Sequence, residues 1–301
     1  MALLDRTLVR VLPAVPRAVV RRLSDRYIAG PSLEDAVHVV ARLSAEGKLA
    51  TVDVLGEEIR TAEEAGEIAR AYHQVFARIE GEGLDGNVSI KLSALGLDLD
   101  EGICRAHVEE LVRDAGNRRN FVRIDMEDSH STDATLRLYR DLRFAGFENV
   151  GVVLQARLRR TISDVAGLDN VRLCKGIYLE PAEIAFQDAA EIRANYRATL
   201  AALLDQRSYV GIATHDEVLI ADALGQIRDR GLSREAYEFQ MLLGVRPERG
   251  DALVRDGHRL RIYVPFGTHW YEYSLRRLQE NPSIAGYVAA DTVRRLLPRR
   301  R

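Results

Sequence analysis

The chain has 301 residues, of which 47% are hydrophobic and 29% charged, with a formal net charge of −2 at pH 7. A chain of this size can bury one substantial core, and its near-neutral charge argues against nucleic acid as a partner. Its two cysteines, Cys104 and Cys174, form no disulfide framework and point to a reducing, cytoplasmic setting. No apolar run reaches the roughly 18 residues of a membrane span.

Residues 1–45 read as a helical N-terminal segment, and residues 46–301 as one catalytic domain. The first part of the segment, MALLDRTLVRVLPAVPRAVVRRL, carries five arginines against one aspartate. A basic amphipathic helix of this kind suits a membrane surface or imitates a transit peptide, but the preferred reading is a cover for the bottom or flank of the domain. Eight short apolar segments follow: TVDVLGE, NVSIKLS, FVRIDMED, VGVVLQ, VRLCKG, YVGIATHD, YEFQMLL and LRIYVPFG. Helical stretches such as EVLIADALGQIRDRG separate them. Strand and helix alternating eight times predict an α/β fold, a (βα)8 TIM-type barrel, which takes about 250 residues. Gly56, Gly96, Gly176, Gly244 and Gly267 fall where strands turn into loops, as tight connections require.

The pocket of such a barrel opens where its strands end, so the polar residues closing the segments become candidates. They are Glu57, Lys91, Asp125, Gln155, Lys175, His215, Gln240 and Tyr263. The arrangement predicts an enzyme. Parallel strands covered on both faces should read as nearly continuous apolar runs, as VGVVL and LRIYV do. The third segment is the expected exception, because alternation puts Arg123, Asp125 and Glu127 on one face. That face must meet ionic partners or open on the pocket, where Asp125 would stand at the rim beside Lys91.

A lysine at a strand end serves either as a Schiff-base nucleophile or as a fixed charge for an anionic substrate. Lys91 and Lys175 both qualify, and a carboxylate such as Asp125 nearby would keep Lys91 protonated, favouring the second use. After the last strand, WYEYSLRRLQENP reads as a helix ending at Asn281 before Pro282. Arg276 and Arg277 are adjacent in it, with Glu280 at helical spacing to hold one guanidinium. The pair suits either a bidentate grip on a carboxylate or a solvated amphipathic face. Tyr263, Tyr271 and Tyr273 could wall a small pocket. The tail RRLLPRRR suits a solvated end or a lipid contact.

The blocks DVLGE, SIKLSAL, RIDMED, VVLQAR, RLCKGIY, IATHD, EFQMLLG, YVPFGTHWY and YSLRRLQEN occur in this order over residues 50–282. In that run the chain resembles the monofunctional proline dehydrogenases, flavin enzymes on a distorted (βα)8 barrel. The resemblance implies that Lys91, Arg276 and Arg277 hold the proline carboxylate, with Asp125 beside the lysine. It implies that Tyr263 closes over the substrate ring, that Leu242 and Tyr273 furnish apolar walls, and that Glu57 pairs with Arg276 and gates the site. Gln155, Arg172, Cys174, Lys175, Gly176, Thr214 and His215 match positions around FAD, Arg172 near the reactive N5. Glu280 would meet the ribityl or nucleotide part. Cys174 stands where the family more often has an aliphatic residue, and its contact is expected to be mainly backbone. For His215 the alternative is a satisfied core histidine.

The implied reaction is hydride transfer from L-proline to FAD, giving Δ1-pyrroline-5-carboxylate, with the electrons passed on to a quinone, in the first step of proline catabolism. No metal is expected, and the basic head and tail become candidate peripheral membrane contacts. The length leaves no room for the second domain or the DNA-binding extension of bifunctional relatives. Rival readings are a hydroxyproline dehydrogenase, a Schiff-base barrel lyase or aldolase, and a binding module without catalysis.

Overall fold

The computed structural model describes residues 26–56, 59–271 and 273–274. Helix α1 (Leu33–Ala45) precedes the alternation β1 (Leu49–Val54), α2 (Ala62–Gly81), β2 (Gly86–Ile90), α3 (Glu101–Asn117), β3 (Val122–Ile124), α4 (Thr132–Phe144) and β4 (Val150–Gln155). It continues with α5 (Thr161–Asp164), β5 (Asn170–Cys174), α6 (Ala189–Asp205), β6 (Tyr209–Ala213), α7 (Glu217–Asp229), β7 (Tyr237–Leu242), α8 (Pro247–Arg255) and β8 (Leu260–Phe266). The eight strands pair in sequence order into a closed barrel, and every neighbouring pair is parallel.

Helix starts are written locally. Ser32 caps α1 and Thr61 caps α2, each in a reciprocal box with an acidic residue three positions on, Asp35 and Glu64. Helix α1 packs on β8 and β1 and buries Ala36, Val37, Val40 and Leu43. It thereby covers the seam where the barrel closes. Among the described residues, no helix is long and apolar enough to cross a membrane.

The alternation along the strands differs from the sequence expectation. The third segment is no exception: nearly every strand presents one apolar and one polar face. Val52, Ile90, Ile124, Val152, Leu173, Ile212 and Phe239 face the helices and form the main core with Phe76, Leu111, Tyr139 and Leu200. The other face looks into the barrel and carries Asp53, Ser89, Arg123, Arg172, Glu238, Gln240, Arg261 and Tyr263. LRIYV reads as an apolar run only until Arg261 and Tyr263 are seen to share the inner face. The helices supply enough apolar area to hold the sheet from outside, so the lumen is left to hydrogen-bonded side chains. Glycines make room for them. A Cβ at Gly211 of β6 would meet Gln240 Nε2 at 2.5 Å, and one at Gly151 of β4 would collide with the Arg123 guanidinium.

Two strand-end assignments are corrected as well. Gln240 lies two residues before the end of β7, and Tyr263 sits in the middle of β8. Lys91, Asp125 and Lys175 directly follow β2, β3 and β5. Arg123 does not share the mouth with Asp125 and Glu127. Its guanidinium turns to the Val152 carbonyl at 3.1 Å, the Asn170 carbonyl at 2.8 Å and the Asn170 side chain, at the opposite end of the barrel.

Candidate active site

Six strands, β1, β2, β3, β5, β7 and β8, bring one polar constellation together toward the mouth. Lys91 Nζ donates to Asp53 Oδ2 at 2.7 Å and lies 3.3 Å from the Tyr263 hydroxyl. That hydroxyl donates to Asp125 Oδ2 at 2.9 Å. The other carboxylate oxygen of Asp125 accepts from Ser89 Oγ at 2.7 Å and from Arg172 Nη1 at 2.6 Å. Arg172 crosses the barrel to do this, donating also to Ser89 Oγ and, through Nε, to Gln240, with its guanidinium 5.4 Å from the Tyr263 ring centroid. Burial, reinforced by Asp125 and Asp53, pushes the Tyr263 phenol well above its ordinary range, so it acts as a neutral donor.

The sequence expectation that Lys91 and Asp125 are neighbours holds only through Tyr263. Lys91 is in direct contact with the carboxylate of Asp53, which the sequence reading missed, and Asp125 pairs with Arg172. An ion pair inside the mouth was one of the two readings offered for Asp125, and it is present. The signal for Asp53 was available in TVDV: an aspartate inside a strand shares the face of Thr51, and that face points inward. Leu242 is the register partner of Tyr263 and stands beside it on the inner face. Tyr273 is buried with Tyr27, Ile28 and Leu55, close enough to Tyr263 for the two phenols to influence each other. Glu57, Arg276, Arg277 and Glu280 lie outside the described residues.

The side of the mouth formed by β4 to β6 carries the remaining candidates. Gln155 is buried and donates to the Glu127 carbonyl at 2.6 Å. Glu127 in turn accepts from the Ser93 backbone and hydroxyl, tying the β2 and β3 loops together. Gly176 has a φ of +89°, a conformation that favours glycine, and a Cβ there would meet Gln155 Oε1 at 2.8 Å. Cys174 donates through Sγ to the Leu154 carbonyl at 3.5 Å, while its own carbonyl accepts from Ala156. His215 Nε2 accepts the Leu242 N–H at 2.9 Å, which puts any ring proton of the neutral form on Nδ1. This gives the histidine a structural bond without excluding a ligand contact from the remaining edge. Thr214 Oγ1 accepts the Asp216 N–H at 3.1 Å.

Cations crowd this rim. Lys175 and Arg193 both donate to Asp216 Oδ2, at 2.9 and 2.7 Å, and Arg246 reaches the His215 carbonyl and Glu217. Burial would raise the Asp216 pKa, but the hydrogen bonds from Lys175 and Arg193 outweigh it and hold the carboxyl down at about 2. Burial lowers the pKa of Arg157, whose Nε donates to the Gly176 carbonyl at 3.3 Å. Among the described residues, no group of three or more His, Cys, Asp or Glu is placed to hold a metal ion.

Comparison with known proteins adds what geometry does not contain. Residues 36–290 match the family model described as proline dehydrogenase. The chain is 36% identical over 267 residues to proline dehydrogenase 1 of Bacillus subtilis, covering 87% of this chain and 88% of the relative. It is 37% identical over 275 residues to the proline dehydrogenase of Deinococcus radiodurans, covering 88% of each. A solved structure of proline utilization A (PutA) from Bdellovibrio bacteriovorus, inactivated by N-propargylglycine, superposes with a TM-score of 0.82 at 25% identity. That match covers 91% of this chain but only 36% of the longer protein.

Proposed function

The chain belongs to the proline dehydrogenase family, and on that premise we propose how its barrel mouth divides the work of its reaction. The reaction is the oxidation of L-proline, the first step of proline catabolism. One observation carries the assignment: Lys91, Tyr263, Asp125 and Arg172 converge from four strands into a hydrogen-bonded chain at the open end. Lys91 supplies a fixed positive charge for the substrate carboxylate, joined by Arg276 and Arg277, whose planar guanidinium groups suit bidentate binding. Tyr263 lies against the ring, and Asp125 fixes the Tyr263 hydroxyl. Leu242 and Tyr273 complete the walls. Glu57 pairs with Arg276 and closes over the site.

FAD is the cofactor of this reading, and the residues present fit it. The rim at β4 to β6 offers Lys175, Arg193 and Arg246 to a diphosphate. Gly176, with its positive φ, lets the backbone approach closely. Gln155, Thr214 and His215 add polar contacts, Cys174 a backbone one, and Glu280 meets the ribityl or nucleotide part. When bound, FAD supplies the acceptor for the hydride that leaves the proline ring. Arg172 is assigned to the flavin ring, with Asp125 and Gln240 holding its orientation. The protein's contribution is orientation of carboxylate and ring toward the cofactor at the barrel mouth. A quinone takes the electrons onward, and the basic head and tail serve as peripheral contacts with the membrane that holds it.

The Schiff-base alternative is disfavoured by Lys91 itself. Its bond to a buried carboxylate favours the ammonium over the free amine a nucleophile needs. The experiment that decides is a visible absorption spectrum of the purified protein with and without L-proline. Flavin bands that bleach on adding proline are expected. A colourless protein that borohydride traps on a carbonyl substrate would move the assignment to a lyase.

A further inference from the structure

Asp53 is fully buried in β1 and has no place in the substrate contacts just described. Its carboxylate is held from two directions. Oδ2 accepts from Lys91 Nζ at 2.7 Å, and Oδ1 lies 3.3 Å from the hydroxyl of Tyr72. Tyr72 belongs to α2, outside the barrel, yet its hydroxyl reaches the gap between β1 and β2. There it accepts the Val54 N–H at 3.2 Å and lies 2.7 Å from the Ser89 carbonyl, beyond the last register pair of the two strands, Val52 with Val88. Burial, with the Asp53 charge beside it, raises the Tyr72 pKa well above its ordinary range, so the hydroxyl remains protonated.

A carboxylate this deep is tolerated only with a charged partner and further hydrogen bonds. Here the partner is the lysine assigned to the substrate carboxylate. We propose that Asp53, steadied from outside the barrel by Tyr72, is a positioning residue that presents the Lys91 ammonium to the substrate carboxylate and keeps it charged. The inference rests on the reading of Lys91 as a carboxylate clamp. Among the described residues, the charged and titratable groups facing Lys91 include Asp53 on β1, Tyr72 on α2, Asp125 after β3 and Tyr263 on β8. Arg172 on β5 lies behind Asp125. Asp125 already compensates Arg172, so removing Asp53 takes away the carboxylate bonded to Lys91 at 2.7 Å. The Lys91 proton is then held less firmly.

The test measures inhibition of proline oxidation by cyclopentanecarboxylate across alkaline pH. This probe has the carboxylate and ring but no amine, so an alkaline loss of binding reports the protein. In Asp53→Asn the pH at which binding fails should fall by at least about one unit relative to wild type, the ordinary effect of losing an adjacent opposite charge. Tyr72→Phe keeps the ring and its packing, and should shift the limb the same way by less. In a Lys91→Met background, Asp53→Asn should cause no further loss of inhibitor binding. A purely structural role predicts instead weaker binding at every pH with the limb unmoved. An unmoved limb in every variant that folds overturns the inference. A wild type that does not oxidise proline overturns the underlying reading and is separately visible.

Discussion

The barrel encloses two charged layers that look alike in composition and behave differently. The lower one centres on Glu238, whose carboxylate accepts from Arg261 Nε at 2.7 Å and Nη2 at 3.1 Å, from Gln240 at 2.6 Å and from Tyr209 at 2.9 Å. Burial works to raise its pKa, yet the Arg261 charge and these bonds bring it below the ordinary value. Burial, with the Arg172 charge beside it, lowers Arg123 to about 9, still charged at neutral pH. The upper layer uses the same chemistry, but the Asp125 side chain is 13% exposed where that of Glu238 is 1% exposed. Gln240 links the two layers, accepting from Arg172 and donating to Glu238, but the lower is sealed from solvent while the upper opens on the mouth. Buried charge therefore does not mark a functional site by itself, and its access to the pocket does.

The largest effect expected belongs to the lower layer. Glu238→Ala strands Arg261 without its carboxylate and should cost about 3–5 kcal/mol of stability, read from denaturant unfolding. A loss below about 1 kcal/mol would mean that Arg261 finds compensation elsewhere in the lumen. Next comes the carboxylate grip assigned to the upper end. Arg276→Ala or Arg277→Ala should raise KM for proline at least about tenfold, with lysine a poor substitute at either position. Unchanged KM in both variants removes the YSLRRL segment from substrate binding.

A finer distinction concerns Tyr263, which spans the gap between Lys91 and Asp125. A fixed phenol against the substrate ring should favour L-proline over trans-4-hydroxy-L-proline by roughly 10–200-fold. Tyr263→Ser should narrow that ratio by losing more kcat/KM for proline than for the hydroxylated ring. Equal losses would make Tyr263 a support rather than a discriminator, and a wild type preferring the hydroxylated substrate would place the chain among hydroxyproline dehydrogenases.

The smallest effect lies at the rim. The folded pKa of Asp216, about 2, is depressed below its ordinary value. Its stabilisation is therefore complete above roughly pH 4 and drains away as pH falls toward 2. Asp216→Asn should flatten the fall of Tm in that window relative to wild type. An identical fall would show that Lys175 and Arg193 contribute nothing through this carboxylate.

Much of the architecture is legible in sequence because it is local. Ser32 with Asp35 and Thr61 with Glu64 announce their helices, and the eight apolar segments announce the strands. The direction of the polar residues is less legible. FVRIDMED was conspicuous because four charges stand close together, whereas Asp53 in TVDV and Glu238 in YEFQM each look like one polar interruption. Only closure of the sheet shows that these interruptions share the lumen.

The fold class, the place of Lys91 and Asp125 at strand ends, and the run of motifs that carries the family are all readable along the chain. Those depend on periodicity and on side chains at fixed offsets along one strand, which any local reading can follow. Tertiary structure alone decided who pairs with whom. Lys91 and Asp53 are 38 residues apart, Arg172 and Asp125 are 47, and Tyr263 and Asp125 are 138. The barrel's circular closure brings them within hydrogen-bond reach. In a low-dielectric lumen, proximity sets which charge each group feels.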